Sequence, residues 1–92
     1  MSVHVIVDLT IKNTDALQEY SSKTPQTLSA FGGKTVGKGI VTPLHGEASF
    51  ERKVILEFPD KDAAISWYNS DAYQSLIPVR EEAFVSQFHL VE

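Results

Sequence analysis

The sequence has no cysteine, which excludes a disulfide framework, a thiolate zinc site and a Cys-ligated iron–sulfur cluster. It also has no long apolar run. The first residues, Met-Ser-Val-His-Val-Ile, enter an alternating pattern at once and carry no basic leader region, which argues against a signal peptide or a membrane span. The expected compartment is the cytoplasm. Positive charge is scarce: eight Lys and Arg against twelve Asp and Glu give a net charge of −4 over 92 residues. A phosphate-backbone binder needs a clustered positive field, so no nucleic-acid partner is expected. No repeat, linker or low-complexity segment interrupts the chain, and residues 1–92 read as one domain. A chain of this size buries roughly 60–65% of its unfolded surface, so the core is thin, and a second apolar face would favour self-association.

What is present is a clear alternation of elements. Val3, Val5, Val7, Leu9 and Ile11 alternate with His4, Ile6, Asp8 and Thr10, the period of a strand. Asn13 suits a helix cap, with Asp15 favourably placed in the first turn. Leu17, Tyr20, Thr24, Leu28 and Phe31 then form one apolar stripe at helical spacing. Pro25 lies inside that run and is expected to divide it into two segments. Gly32-Gly33 supplies a left-handed terminator. Lys34 to Val41 reads as a strand whose Gly37 and Gly39 imply a bulge or an edge. Thr42 to Phe50, with Pro43 and Gly46, is a loop. Arg52 to Phe58 reads as a central strand around Val54, Ile55 and Leu56. Asp60 caps a helix whose inner face holds Ala64, Trp67 and Tyr68. Asp71 with Gln74 reads as a capping box that opens a further turn bringing in Tyr73, Leu76 and Ile77. Pro78 is expected to kink this segment, and Phe84 to Val91 is the last strand.

Strand, helix, strand, strand, helix, strand predicts an α+β fold. It is the ferredoxin-like βαββαβ plait, a four-stranded antiparallel sheet with both helices on one face. Assigning the apolar sets to the helices leaves the second face with His4, Ile6, Asp8 and Thr10, then Lys53, Ile55 and Glu57, then Val85, Gln87, His89 and Val91. Such a mixed face is either half-solvated or packed on a copy of itself. Asp8 and Glu57 need partners there, because an unpaired buried carboxylate costs several kcal/mol. Lys53, His4 and His89 are the available counter-charges.

Candidate site residues follow from this layout. Asp8 and Glu57, on neighbouring strands, form either an acid–base pair or two salt-bridged sheet residues. Trp67, Tyr68 and Tyr73, with Tyr20 and Phe31 opposite, either line an apolar pocket between helices and sheet or make ordinary core with hydroxyls reaching outward. Arg52 and Arg80, the only arginines, each suit a bidentate carboxylate or phosphate; the plainer reading is a salt bridge to Glu51, Glu81 or Glu82. His4, His89 and Asp8 would come together for a metal only if the first and last strands are neighbours, and no ligand spacing supports a metal site. No cofactor is expected. Gly32, Gly37 and Lys38 match P-loop spacing, but Gly39 stands where Ser or Thr is required, and the segment joins helix to strand rather than strand to helix. An RNA-recognition domain shares this element order, yet the third strand offers only Phe58 as a stacking aromatic.

End to end, the chain resembles the bacterial family known as domain of unknown function 1330, within the dimeric α/β-barrel superfamily of ferredoxin-like domains. The resemblance rests on Val5-Ile-Val-Asp-Leu9, Pro25 to Gly33, Glu51 to Pro59, Ala63 to Ser70, Tyr73-Gln74 and Arg80. The most specific stretch runs from Leu-Glu-Phe-Pro to Trp-Tyr-x-Ser-x-x-Tyr-Gln. Pro78 departs from the helical run that the family leads one to expect. The resemblance implies a homodimer whose sheets pair into a barrel, and it implies no established activity. The functional expectation is a small-molecule-binding protein with its site in the helix–sheet cleft or barrel. Its candidate lining is Asp8, Tyr20, Arg52, Glu57, Trp67, Tyr68, Tyr73 and Arg80. The alternatives are an enzyme of the cofactor-independent monooxygenase or isomerase kind, and a non-catalytic dimeric interaction module.

Overall fold

In a computed structural model that describes residues 2–92, the elements run β1 (Val3–Ile11), α1 (Thr14–Ser29), β2 (Lys34–Ile40), β3 (Arg52–Phe58), α2 (Lys61–Asn69), α3 (Asp71–Gln74), α4 (Ile77–Ala83) and β4 (Phe84–Val91). The strands form one sheet in the order β2-β3-β1-β4, with every neighbouring pair antiparallel. This is the ferredoxin-like plait that the element order predicts. The period of two in β1 sorts its residues cleanly. Val3, Val5, Val7 and Leu9 are buried under the helices, while His4, Ile6, Asp8 and Thr10 are half-buried on the open side. Leu56, Phe58, Phe84, Ala64, Trp67, Tyr73 and Leu28 complete the core. Among the described residues no helix is long and apolar enough to cross a membrane.

β2 is an edge strand with a register shift between Thr35 and Gly37, the kind of irregularity that a glycine inside a strand marks. After α1 the chain reverses at Gly32, whose φ of 73° is the left-handed value that glycine takes without strain. Gly33 is required for another reason: a Cβ there would sit 2.5 Å from the Phe58 ring, so glycine lets β2 approach the core aromatic.

Two local expectations are corrected. α1 is a single helix through Pro25 rather than two segments. The ring removes one N–H, the partner of the Ser21 carbonyl, on the exposed side of the helix where water can take its place. Buried Tyr20, Thr27 and Leu28 pin both halves of α1 to the core. The turn after α2 is capped by Ser70, not by an Asp71–Gln74 box. The Ser70 hydroxyl accepts the Tyr73 N–H at 3.2 Å, while the Gln74 amide donates to the Tyr68 carbonyl at 2.6 Å. Pro78, for its part, lies in the first turn of α4, where a missing N–H costs nothing.

Candidate functional site

Asp60 caps α2 by accepting the Ala63 N–H at 2.8 Å. From that start, Ala64 and Trp67 fall on the inward face, and Tyr68 follows at its border. The Ser70 hydroxyl donates to the Trp67 carbonyl at 2.7 Å and closes α2. One turn of α3 then delivers Tyr73, which is fully buried. The start of α4 at Ile77-Pro78 sets the phase that turns Arg80 inward, so a cation in the run Val79-Arg-Glu-Glu82 ends only 8% exposed.

These side chains meet in one polar network inside an aromatic shell. The Tyr20 and Tyr73 hydroxyls are 2.7 Å apart and share a hydrogen bond. Nη1 of Arg80 donates to the Tyr68 hydroxyl at 3.1 Å and to the Tyr73 hydroxyl at 3.3 Å. Its Nη2 donates to Oε1 of Glu81 at 3.0 Å. The guanidinium carbon lies over Phe88, 5.0 Å from the ring centroid. Trp67 packs on Tyr73 with centroids 4.3 Å apart, and its indole N–H donates to the Thr27 hydroxyl at 3.0 Å. Burial pushes the Tyr20 phenol far up, and the adjoining Tyr73 adds to that. Burial raises Tyr73 as well, against the opposing pull of its bonds to Tyr20 and Arg80. For Arg80, burial alone disfavours the cation, but its bonds to Tyr73, Tyr68 and Glu81 together raise it. The network is therefore a fixed cation beside two phenols, Tyr20 and Tyr73, that are shifted away from ionisation.

A cleft of about 460 Å³ opens between α2 and the β1–β4 side of the sheet. Val5, Ile65, Trp67, Phe88 and Leu90 are among its apolar walls, and Tyr68, Asn69, Arg80, Ser86 and Gln87 supply its polar groups. Among the described residues Arg80 is the only charged one in that lining. A second cleft of about 400 Å³ lies between α1 and the β2–β3 side, with Leu17, Leu28, Val54 and Phe84 among its walls and Tyr20 and Lys38 on its lining. Phe88 borders both clefts, and the hydroxyl network runs between them.

The structure thus brings together five of the sequence-predicted residues. Trp67, Tyr68 and Arg80 line the first cleft, Tyr20 lines the second, and Tyr73 is sealed between them. Asp8, Glu57 and Arg52 do not join that cluster. Asp8 is on the open sheet face, directly opposite Lys53, and pairs with its ammonium at 3.2 Å. Glu57 lies opposite His4 on the same face and meets both His4 and Lys34 at 3.5 Å. Both carboxylates are held by cross-strand partners. Arg52 stands at the start of β3 between Leu9 and Ile40. Among the described residues no three His, Asp or Glu side chains gather as a metal site would require.

Sequence reasoning missed Thr27, Ser86 and Phe88 as site residues. Thr27 is seven residues from Tyr20, hence on the same helical face, and that spacing is the signal that could have found it. Phe88 shares the inward parity of Phe84, but alternation shows only the face, not that a cleft opens beside it.

A one-sided sheet with an aromatic cleft under its helices defines a ferredoxin-like α+β domain. The chain belongs to the family described as Domain of unknown function (DUF1330), whose model matches residues 2–92. None of the curated proteins matches it. Among solved structures it is similar to RPA0582, a protein of unknown function from Rhodopseudomonas palustris, with a TM-score of 0.80 at 17% identity over 98% of this chain and 80% of that one. A dimeric ferredoxin-like protein of unknown function from Jannaschia sp. CCS1 superposes with a TM-score of 0.77 at 12% identity, over 100% of this chain and 99% of that one. SnoaB, a cofactor-independent oxygenase from Streptomyces nogalater, gives 0.72 at 12% identity, over 99% and 91%. At such identities the likeness speaks for the fold.

Proposed function

We propose that this protein binds a small molecule in the cleft between α2 and the β1–β4 side of the sheet, and that its 92 residues act as one domain within a homodimer. The observation that carries the binding reading is Arg80, a buried cation and, among the described residues, the only charge in a lining of apolar, aromatic and neutral polar side chains. The cleft's volume falls in the range of ligand sites, and such sites combine apolar walls with a few fixed polar groups. A cytoplasmic setting without nucleic acid or membrane goes with this reading, on the acidic, cysteine-free composition.

Support for the homodimer comes from shape and surface. The chain is a slab of 32 × 31 × 16 Å. It exposes 5844 Å², where a compact monomer of this size exposes about 5300 Å². The Jannaschia neighbour is described as dimeric.

The enzyme reading, toward which SnoaB points, is the less favoured. Its chemistry requires a base near the bound substrate. Among the described residues the cleft lining contains no imidazole, carboxylate, amine or thiol, and the phenols of Tyr20 and Tyr73 are shifted away from ionisation.

The chain has one tryptophan, and it lines the cleft, so its fluorescence reports occupancy. Titration with a panel of small aromatic compounds should change Trp67 emission and raise the melting temperature for at least one chemical class. Ser86→Phe, which fills the cleft from β4, should abolish both responses. A panel without any response, or responses that survive Ser86→Phe, would overturn the binding reading and favour a non-catalytic interaction module.

A further inference from the structure

A guanidinium offers five N–H donors, and Arg80 leaves some of them unused. Both protons of Nη1 are taken by the Tyr68 and Tyr73 hydroxyls. Nη2 makes one bond, to Oε1 of Glu81 at 3.0 Å. Nε is buried and has no acceptor. The unmet donor is therefore Nε–H, which shares one edge of the guanidinium with an Nη2–H. That edge is the fork that a carboxylate spans with two parallel bonds. Glu81 bonds Nη2 and leaves Nε–H unmet.

From this census, and resting on the reading that the cleft binds a small molecule, we infer that the ligand is a flat monocarboxylate whose carboxylate displaces that of Glu81 on the Nε–Nη2 edge of Arg80. Glu81 is suited to being displaced. Its side chain is 64% exposed while that of Arg80 is 10% exposed, so the glutamate returns to water when it leaves. Neighbours in sequence do not face each other on a helix, so Glu81 reaches back to make this contact rather than being aimed at it. The two ends of the site then divide the recognition. Phe88 closes a face of the guanidinium, leaving the edge for the acid group, while Trp67, Ile65 and Leu90 receive an apolar body. A phosphate monoester fits less well. It would bring a second negative charge into a lining that holds a single cation.

The test uses the intact protein with benzoate and 2-naphthoate against their neutral amides, benzamide and 2-naphthamide, and with inorganic phosphate as a generic anion. Binding is followed by calorimetry and Trp67 emission, and the Arg80 Nε–H resonance by NMR. The expected result is that at least one carboxylate binds tenfold or more tightly than its amide and shifts the Nε–H resonance. Glu81→Gln, at an exposed position, should tighten the carboxylate about fivefold by weakening its competitor and leave the amide unchanged. Arg80→Lys should erase the preference for acid over amide. Amides that bind as tightly as the acids would overturn the carboxylate assignment and leave the cleft reading standing. Phosphate binding as tight as the acids, or a Glu81→Gln variant with unaltered carboxylate affinity, would likewise refute it. Silence from acids and amides alike counts against the inference, and the wider aromatic panel then decides whether the cleft binds anything.

Discussion

Tyr73 links Tyr20 to Arg80, because its hydroxyl is bonded to Tyr20 at 2.7 Å and to Arg80 at 3.3 Å with no exposure to water. Removing that oxygen strands two buried partners at once. An unmet buried donor or acceptor costs about 1–3 kcal/mol, more beside a charge. Tyr73→Phe should therefore destabilise the fold by about 2–3 kcal/mol in urea denaturation. Tyr20→Phe, which leaves Tyr73 still bonded to Arg80, should lose about 1 kcal/mol. Equal losses for the two variants would place the network's hub elsewhere. The participation of the aromatics is legible in the sequence, since Tyr and Trp at helical spacing must bury their rings and satisfy their polar tips. The burial of Arg80 is not. A lone arginine before two glutamates reads as a solvated face, and what reverses that is the phase set where α4 starts at Ile77-Pro78. Nothing in composition or periodicity fixes that phase. Asp8 and Glu57 illustrate the converse: their face is readable from alternation, and their partners Lys53 and His4 are the cross-strand neighbours that the register places opposite them.

At the scale of elements, the strands are the more readable part. β3 and β4 have the bounds Arg52–Phe58 and Phe84–Val91 that the sequence indicates, β3 from its apolar run Val54-Ile55-Leu56 and β1 most plainly from its period of two. Helix boundaries after Trp67 are harder, since they depend on one hydroxyl: Ser70 closes α2 and opens α3 with the same side chain. In α1 the local rule and the global fold disagree. Proline in a helix interior costs about 3 kcal/mol relative to alanine, yet α1 continues through Pro25 because Tyr20, Thr27 and Leu28 bury its inner face on both sides. Pro25 itself is exposed, so little packing is lost with it. Pro25→Ala should stabilise the protein by about 1–2 kcal/mol, less than the full helix penalty because proline also restricts the unfolded chain. The check is the denaturation midpoint with an unchanged m-value. A destabilised variant would mean that the ring packs against a neighbour strongly enough to outweigh the restored N–H.

The whole molecule is a helix layer on one side of a sheet and bare strand on the other. The bare side carries Ile6 and Ile55 half-buried at its centre, with Val85 50% and Val91 49% exposed toward the β4 edge. Around them, Asp8–Lys53 and His4–Glu57 are already paired within the chain, so this face could be covered without leaving those two carboxylates unpaired. The proposed homodimer uses this surface, and Val85 separates it from a free monomer. On an open face, Val85→Asp is a surface substitution worth no more than about 0.5 kcal/mol. Between two sheets, the same change places a carboxylate from each subunit out of water without a cation, at a cost of several kcal/mol per charge. The parent protein should scatter light as two chains at micromolar concentration, with a melting temperature that rises with concentration as mass action demands. Val85→Asp should scatter as one chain with an unchanged far-ultraviolet dichroism. A parent of single-chain mass would refute the dimer. A two-chain mass that survives Val85→Asp would move the interface off this face, because no sheet-to-sheet contact could absorb two unpaired aspartates and keep its affinity.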